Sequence, residues 1–183
     1  MSRIPAFASI EASPAAAQPL LAAVKKQLGS VPNLFRVVAH SPAALEGYLG
    51  LNAALGKGTL AAATRERIAL AVAEVNGCGY CLAAHSYIAR NLAKLDETEI
   101  AANRAGGSSD AKAAAAVRFA VRLVETRGHA TDADVAAVRN AGYDEAQILE
   151  IVLHVALNTL TNYVNEVART EIDFPAVSAA KAA

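Results

Sequence analysis

Apolar residues along this chain recur at helical spacings, and no segment sustains the period-two alternation of a half-buried strand. The clearest stretch is "TRERIALAVAEVNG", residues 64–77, with apolar positions at 68, 70, 72, 73 and 75. It predicts a helix from about Thr64 that stops at Asn76-Gly77, a pair suited to left-handed backbone. A second helix is expected from at or near Cys78 to about Leu92. Upstream, the first dozen or so residues read as extended. A helix is then predicted from near Pro14, disturbed in its first half by Pro19 and ended by Gly29. "SVPNLFRVVAHSP" reads as a connector with one short helical turn, and Ser41-Pro42, a cap followed by a first-turn proline, opens a helix to about Gly56.

Downstream, "LDETEIAANRAGG" predicts a short helix closed by Gly106-Gly107. Asp110 caps a helix ending at Gly128, and Thr131 with Asp134 resembles a capping box before a short helix to Asn140. Asp144 caps the last long helix, "EAQILEIVLHVALNTLTNYVNEVART". The Ala-rich tail after about residue 175 is expected to fray. The pattern predicts an all-α protein of about eight helices, without internal repeats, as one domain over residues 1–183.

Composition sharpens this picture. Hydrophobic residues are 54% of the 183, yet aromatic residues are only 5% and Trp is absent. Alanine, the best helix former, carries much of the apolar content, which favours closely packed helices. Lys+Arg and Asp+Glu are 17 each, so the basic surplus expected of a nucleic-acid footprint is missing. No apolar run approaches the roughly 20 residues that span a bilayer. "MSRIPAFASIEASPAAAQPL" lacks the continuous apolar core of a signal peptide, so a cytoplasmic location is expected.

Candidate chemistry is concentrated in "EVNGCGYCLAAHSYIAR", residues 74–90, which holds both cysteines. On a helix, Cys78, Cys81 and His85 stand at spacings of three and four and share a face. Cys78 falls in the first turn, where unpaired amides and the helix dipole favour negative charge. An imidazole one turn from Cys81 adds a proton partner. Such a pair can serve as a thiol redox site, as three ligands of a metal completed from elsewhere, or as two packed core thiols. A zinc site commonly adds a second ligand pair, whereas His40, His129 and His154 are isolated in the sequence and no third Cys exists. A thioredoxin fold requires strands, which the pattern does not offer. On the last helix His154, Asn158 and Asn162 form a polar stripe, with Asn165 beyond it, read as cavity lining, a buried network or, with preference, part of an oligomer interface.

Glu66, eleven residues, Cys78-Gly-Tyr-Cys81, three residues and His85 together resemble the motif of the alkylhydroperoxidase (AhpD)-like proteins of the carboxymuconolactone decarboxylase superfamily, in their peroxidase-related branch. The resemblance centres on about residues 60–95 and extends upstream through "VPNLFRVVAHSPAALEGYL". It implies an all-helical fold, assembly as a trimer, hexamer or related homo-oligomer, and no bound organic cofactor. It further implies a peroxidase in which Cys81 attacks a hydroperoxide, Cys78 resolves the sulfenic acid to a disulfide, and a dithiol or disulfide reductase supplies electrons. His85 and Glu66 would relay the proton, with Glu74 as a supporting carboxylate. Members with peroxidase activity carry His where this chain has Tyr80, which with a side-chain pKa of about 10 donates a hydrogen bond but does not shuttle protons near neutrality. A redox-sensing oligomer without turnover, or a metal-binding module, are the alternative functions.

Overall fold

The structure, a computed structural model, describes residues 2–177. Among them it contains nine helices and no strand: α1 (Gln18–Leu28), α2 (Asn33–Val38), α3 (Pro42–Leu55), α4 (Ala62–Val75), α5 (Gly79–Asn91), α6 (Glu97–Arg104), α7 (Ala111–Glu125), α8 (Asp132–Asn140) and α9 (Glu145–Ala168). The all-α expectation holds. The ninth helix is α2, a short segment inside the stretch expected to be a connector. The expected frayed tail lies for the most part outside the described residues.

The axis of the fold is α4, packed against α5, α6, α7 and α9. Every residue from 68 to 74 is buried, and a helix apolar on all sides must lie in the interior. Its small residues Ala69, Ala71 and Ala73 let neighbouring backbones approach closely. Three clusters radiate from it. Ile68 and Val72 join Phe119, Leu123, Val138, Ile148 and Ile151 from α7, α8 and α9. Leu70 meets Ala89, Leu95 and Ile100. Ala73 meets Leu34, Cys78, Tyr80, Cys81 and Leu82. Each large aliphatic side chain buried here stabilises the fold by roughly 1.5–3 kcal/mol. The amino-terminal helices build a separate cluster around Leu21, Val24 and Leu45.

The predicted caps form. Ser41, Asp110 and Asp144 accept from the backbone amides of Ala44, Ala113 and Gln147, and Thr131 with Asp134 closes a reciprocal capping box. Two expected starts move. The first helix begins at Gln18 rather than near Pro14, so Pro19 occupies its first turn instead of disturbing its middle. There the missing amide costs no helical hydrogen bond. The α4 helix begins at Ala62, ahead of Thr64, whose side chain is buried. The carboxylate of Glu150 on α9 fastens the loop before α4 by accepting from the amides of Thr59 and Leu60, at 2.9 and 2.8 Å.

The reversal between α4 and α5 is a Schellman motif. Gly77 N–H donates to the Glu74 carbonyl at 3.1 Å, and Cys78 N–H to the Ala73 carbonyl at 3.0 Å. Gly77 takes φ +67°, which a side chain makes costly. Cys78 is at once the second residue past the Asn76 C-cap of α4 and the N-cap of α5. A Gly77→Ala substitution is expected to destabilise the protein by about 1–2 kcal/mol, read as a lower urea midpoint with an unchanged denaturant slope.

Candidate active site

The Schellman turn sends α5 back along α4, and this brings Glu66, in the second turn of α4, opposite His85 in the second turn of α5. His85 Nδ1 and Glu66 Oε2 are 2.8 Å apart, both side chains about one-fifth exposed. Burial pulls the imidazole pKa down, but the adjacent Glu66 carboxylate outweighs it, and His85 is raised overall. The ring is thus held as an imidazolium beyond its ordinary range.

Both cysteines are free thiols and buried. The pair is electrostatically unequal. The two sulfurs act on each other, and the neighbouring Cys78 thiol lowers Cys81 while Cys81 raises Cys78. Burial opposes ionisation of Cys81, while the His85 charge and the side-chain amides of Asn165 and Asn162 favour it. Asn165 Nδ2 lies 3.3 Å from Cys81 Sγ. The net shift of Cys81 is downward, that of Cys78 upward. The first-turn position that by itself favours a thiolate on Cys78 is overridden by its neighbour, because two buried sulfurs in contact do not both ionise.

A cavity of about 1030 Å³ opens on this group. Cys81, Glu66 and His85 reach its wall, whereas Cys78 does not line it and is fully buried behind. Most of the remaining wall is apolar, including Leu20, Leu34, Phe35, Leu49 and Ile88.

Two residues expected at the site have other partners. Glu74 pairs with Arg104 at 2.7 Å on the α6 side and does not line the cavity. Eight residues along a helix advance by about 80° beyond two full turns, and this turns Glu74 to Arg104 and away from the side on which Glu66 meets His85. Tyr80 lines the cavity, yet its hydroxyl donates to Asp173 Oδ1 at 2.8 Å and accepts from Leu34 N–H at 3.1 Å. Its ring meets Phe174 edge-on. The hydrogen bond that Tyr80 donates therefore ties the segment after α9 to α5.

The polar stripe of α9 faces inward rather than towards an oligomer interface. His154 and Asn158 line the cavity, and Asn165 reaches the Cys81 sulfur. Asn162 accepts from Asn76 Nδ2 at 2.8 Å, tying α9 to the α4–α5 turn. Burial, helped by the Arg65 charge, pushes His154 down to about 4, so it is neutral near pH 7. Asparagines in an apolar helix were the sequence signal for these groups. Tyr48, on α3, also faces the site, and as an aromatic residue in an apolar helix it carried no signal. Among the described residues, no three His, Cys, Asp or Glu side chains are placed to hold a metal ion, so Cys78, Cys81 and His85 do not converge as ligands. No described helix is long and apolar enough to cross a membrane.

Residues 42–126 match the Carboxymuconolactone decarboxylase family. No curated protein gives a significant match. Among solved structures, an uncharacterized peroxidase-related protein from Ralstonia eutropha JMP134, described as an alkylhydroperoxidase AhpD core, superposes with a TM-score of 0.83 at 26% identity, covering 94% of this chain and 92% of that one. An uncharacterized peroxidase-related protein from Silicibacter sp. TM1040 gives 0.79 at 23% identity, covering 92% of each chain. The debrominase Bmp8, in complex with 2,3,4-tribromopyrrole, gives 0.79 at 18%, covering 94% of this chain and 92% of that one. The last two establish a shared fold alone. The matched region spans α3 to α7 and holds Glu66, Cys78, Cys81 and His85, so the chain carries a carboxymuconolactone decarboxylase family region and is similar over nearly its whole length to an AhpD-like, peroxidase-related protein.

Proposed function

We propose that the protein is a thiol-dependent peroxidase that reduces organic hydroperoxides at Cys81. The observation that carries this reading is the order of the two sulfurs: Cys81 meets the cavity with its ionisation favoured, and Cys78 lies behind it as a thiol. The Cys81 thiolate attacks the terminal oxygen of R–O–O–H. An S–O bond forms, the O–O bond breaks, sulfur loses two electrons, and an alkoxide leaves that takes up a proton as alcohol. With the charge on Cys81 gone, Cys78 loses the neighbour that kept it protonated. It gives its proton to the sulfenic oxygen and attacks the Cys81 sulfur, closing a disulfide as water departs. Exchange with an external dithiol restores both thiols. Glu66 and His85 hold the positive charge beside Cys81 and pass protons between it and the cavity. The volume and apolar wall of the cavity suit an alkyl or aryl hydroperoxide better than hydrogen peroxide.

A second reading, reductive removal of halide from a halogenated arene, is favoured by a dithiol opening on an apolar cavity in a fold shared with a debrominase. There the carbon–halogen bond breaks, carbon takes up a proton, halide leaves, and the thiol pair supplies the two electrons by closing to a disulfide.

Self-association belongs to the proposal. Leu149, Leu153, Leu160, Tyr163 and Val167 leave an exposed apolar stripe along the outer face of α9. Such a face is a candidate for burial against further copies. Light scattering is expected to give a trimer or hexamer, and a monomer at micromolar concentration overturns this part.

Wild-type protein is expected to consume cumene hydroperoxide catalytically with excess dithiol. Cys81→Ser abolishes turnover, and Cys78→Ser stops after one equivalent with a trapped sulfenic acid. One oxidation event without turnover in the wild type would indicate a redox sensor instead. Release of bromide from a bromoarene without peroxide consumption would favour the second reading.

The pH dependence follows from the two shifts. Cys81 is lowered and His85 raised, so the thiolate–imidazolium pair persists between them, and alkylation of Cys81 falls only as pH drops through its lowered pKa. Removing the amide donor in Asn165→Leu is expected to move that acid limb upward by about one to two pH units, the worth of a hydrogen bond to a charged group. Glu66→Gln moves it the same way, because burial then strips the charge from His85. An unmoved limb in either variant removes that residue from the site.

A further inference from the structure

Tyr48 packs against the cluster of Cys78, Tyr80 and Cys81, and its side chain lines the cavity. Its ring leans on Phe35, with centroids 5.7 Å apart. Unlike Tyr80, its hydroxyl has no hydrogen-bond partner among the described residues. It stands near enough to Cys81 and Glu66 to sense both charges. Burial first, and those two negative groups next, raise its pKa, so the phenol stays protonated throughout the physiological range. The half-buried Tyr48 shares the wall of one cavity with Cys81 and Glu66, so its hydroxyl is left to a molecule bound there.

The reaction needs a group of this kind. Opening the O–O bond leaves negative charge on an alkoxide oxygen inside a largely apolar cavity, where an uncompensated charge is expensive. Donors already in place where that charge develops lower the barrier. His85 is bound to Glu66 through Nδ1 and its charge and proton serve Cys81, while the Tyr80 hydroxyl is committed to Asp173.

We propose that Tyr48 is a catalytic residue whose hydroxyl donates its proton to the alkoxide oxygen as the Cys81 thiolate breaks the O–O bond. The inference rests on the peroxidase reading. The sulfur gains the terminal OH, the remaining oxygen leaves as alcohol with the phenolic proton, and the phenolate takes a proton from water as the alcohol departs. A phenol, even one raised by burial, remains a stronger acid than an aliphatic alcohol, so the transfer is downhill.

The test compares leaving groups in single-turnover oxidation of Cys81 by stopped flow, with cumene hydroperoxide and peracetic acid as oxidants. Peracetic acid leaves as acetate, a weak base that needs no proton. Tyr48→Phe keeps the ring and its contact with Phe35. It is expected to slow cumene hydroperoxide by about a hundredfold, the usual loss on removing one preorganised donor, and to leave peracetic acid nearly unchanged. Equal slowing with both oxidants would mean that Tyr48 only packs the site, and an unchanged rate with cumene hydroperoxide would exclude the donor. Wild-type protein that reacts with neither oxidant overturns the peroxidase reading, and this inference with it.

Discussion

Two backbone hydrogen bonds at the end of α4, from Gly77 N–H to the Glu74 carbonyl and from Cys78 N–H to the Ala73 carbonyl, are the constraint on which the site depends. They end one helix and start the next with Cys78 serving both, so α5 must run back along α4 at close range. That closeness lets a carboxylate in the second turn of α4 meet an imidazole in the second turn of α5. It also requires small side chains between the helices, which the alanines of α4 supply. The composition of the chain and the geometry of its site are consequences of the same packing problem.

Into this interior the fold introduces an ionisable sulfur. Desolvation alone would keep both cysteines neutral, and the structure opposes it with several short-range favours: the neighbouring Cys78 thiol, the Asn165 amide donor with Asn162 beside it, and an imidazolium maintained by Glu66. Each of these has its own support. Asn162 is tied to Asn76 in the turn, and Glu66 is in direct contact with His85. The asymmetry between the cysteines follows from position. Cys81 faces the cavity, the imidazole and the amides, while Cys78 has the core behind it and Cys81 in front.

Much of the fold was legible in the sequence because helix ends are local chemistry. Ser41, Asp110, Thr131 and Asp144 bond amides three residues away, and Gly77 takes a backbone shape that others avoid, so neighbours along the chain suffice to locate them. The shifts at α1 and α4 occurred where that logic was weakest. Pro19 is compatible with a first turn as well as with a break, and α4 starts without a side-chain cap at all. The local spacing Cys-x-x-Cys-x-x-x-His was readable for the same reason.

What lay beyond local spacing was decided by packing. Glu66 and Glu74 are both acids on one helix, and nothing in the chain order says that one meets His85 while the other meets Arg104; the direction from which α5 and α6 approach α4 makes that choice. The polar stripe of α9 announced itself in sequence, but only the fold turned it inward to Cys81 and the cavity. Tyr48 and Tyr80 are equally aromatic in the sequence, yet one hydroxyl is tied to Asp173 and the other, on a residue lining the cavity, has no hydrogen-bond partner among the described residues. The sequence by itself determined the helices, their ends and the thiol motif, since these depend on contacts within a few residues. Tertiary structure alone decided which polar group stands beside which sulfur, because that depends on elements far apart in the chain meeting around α4.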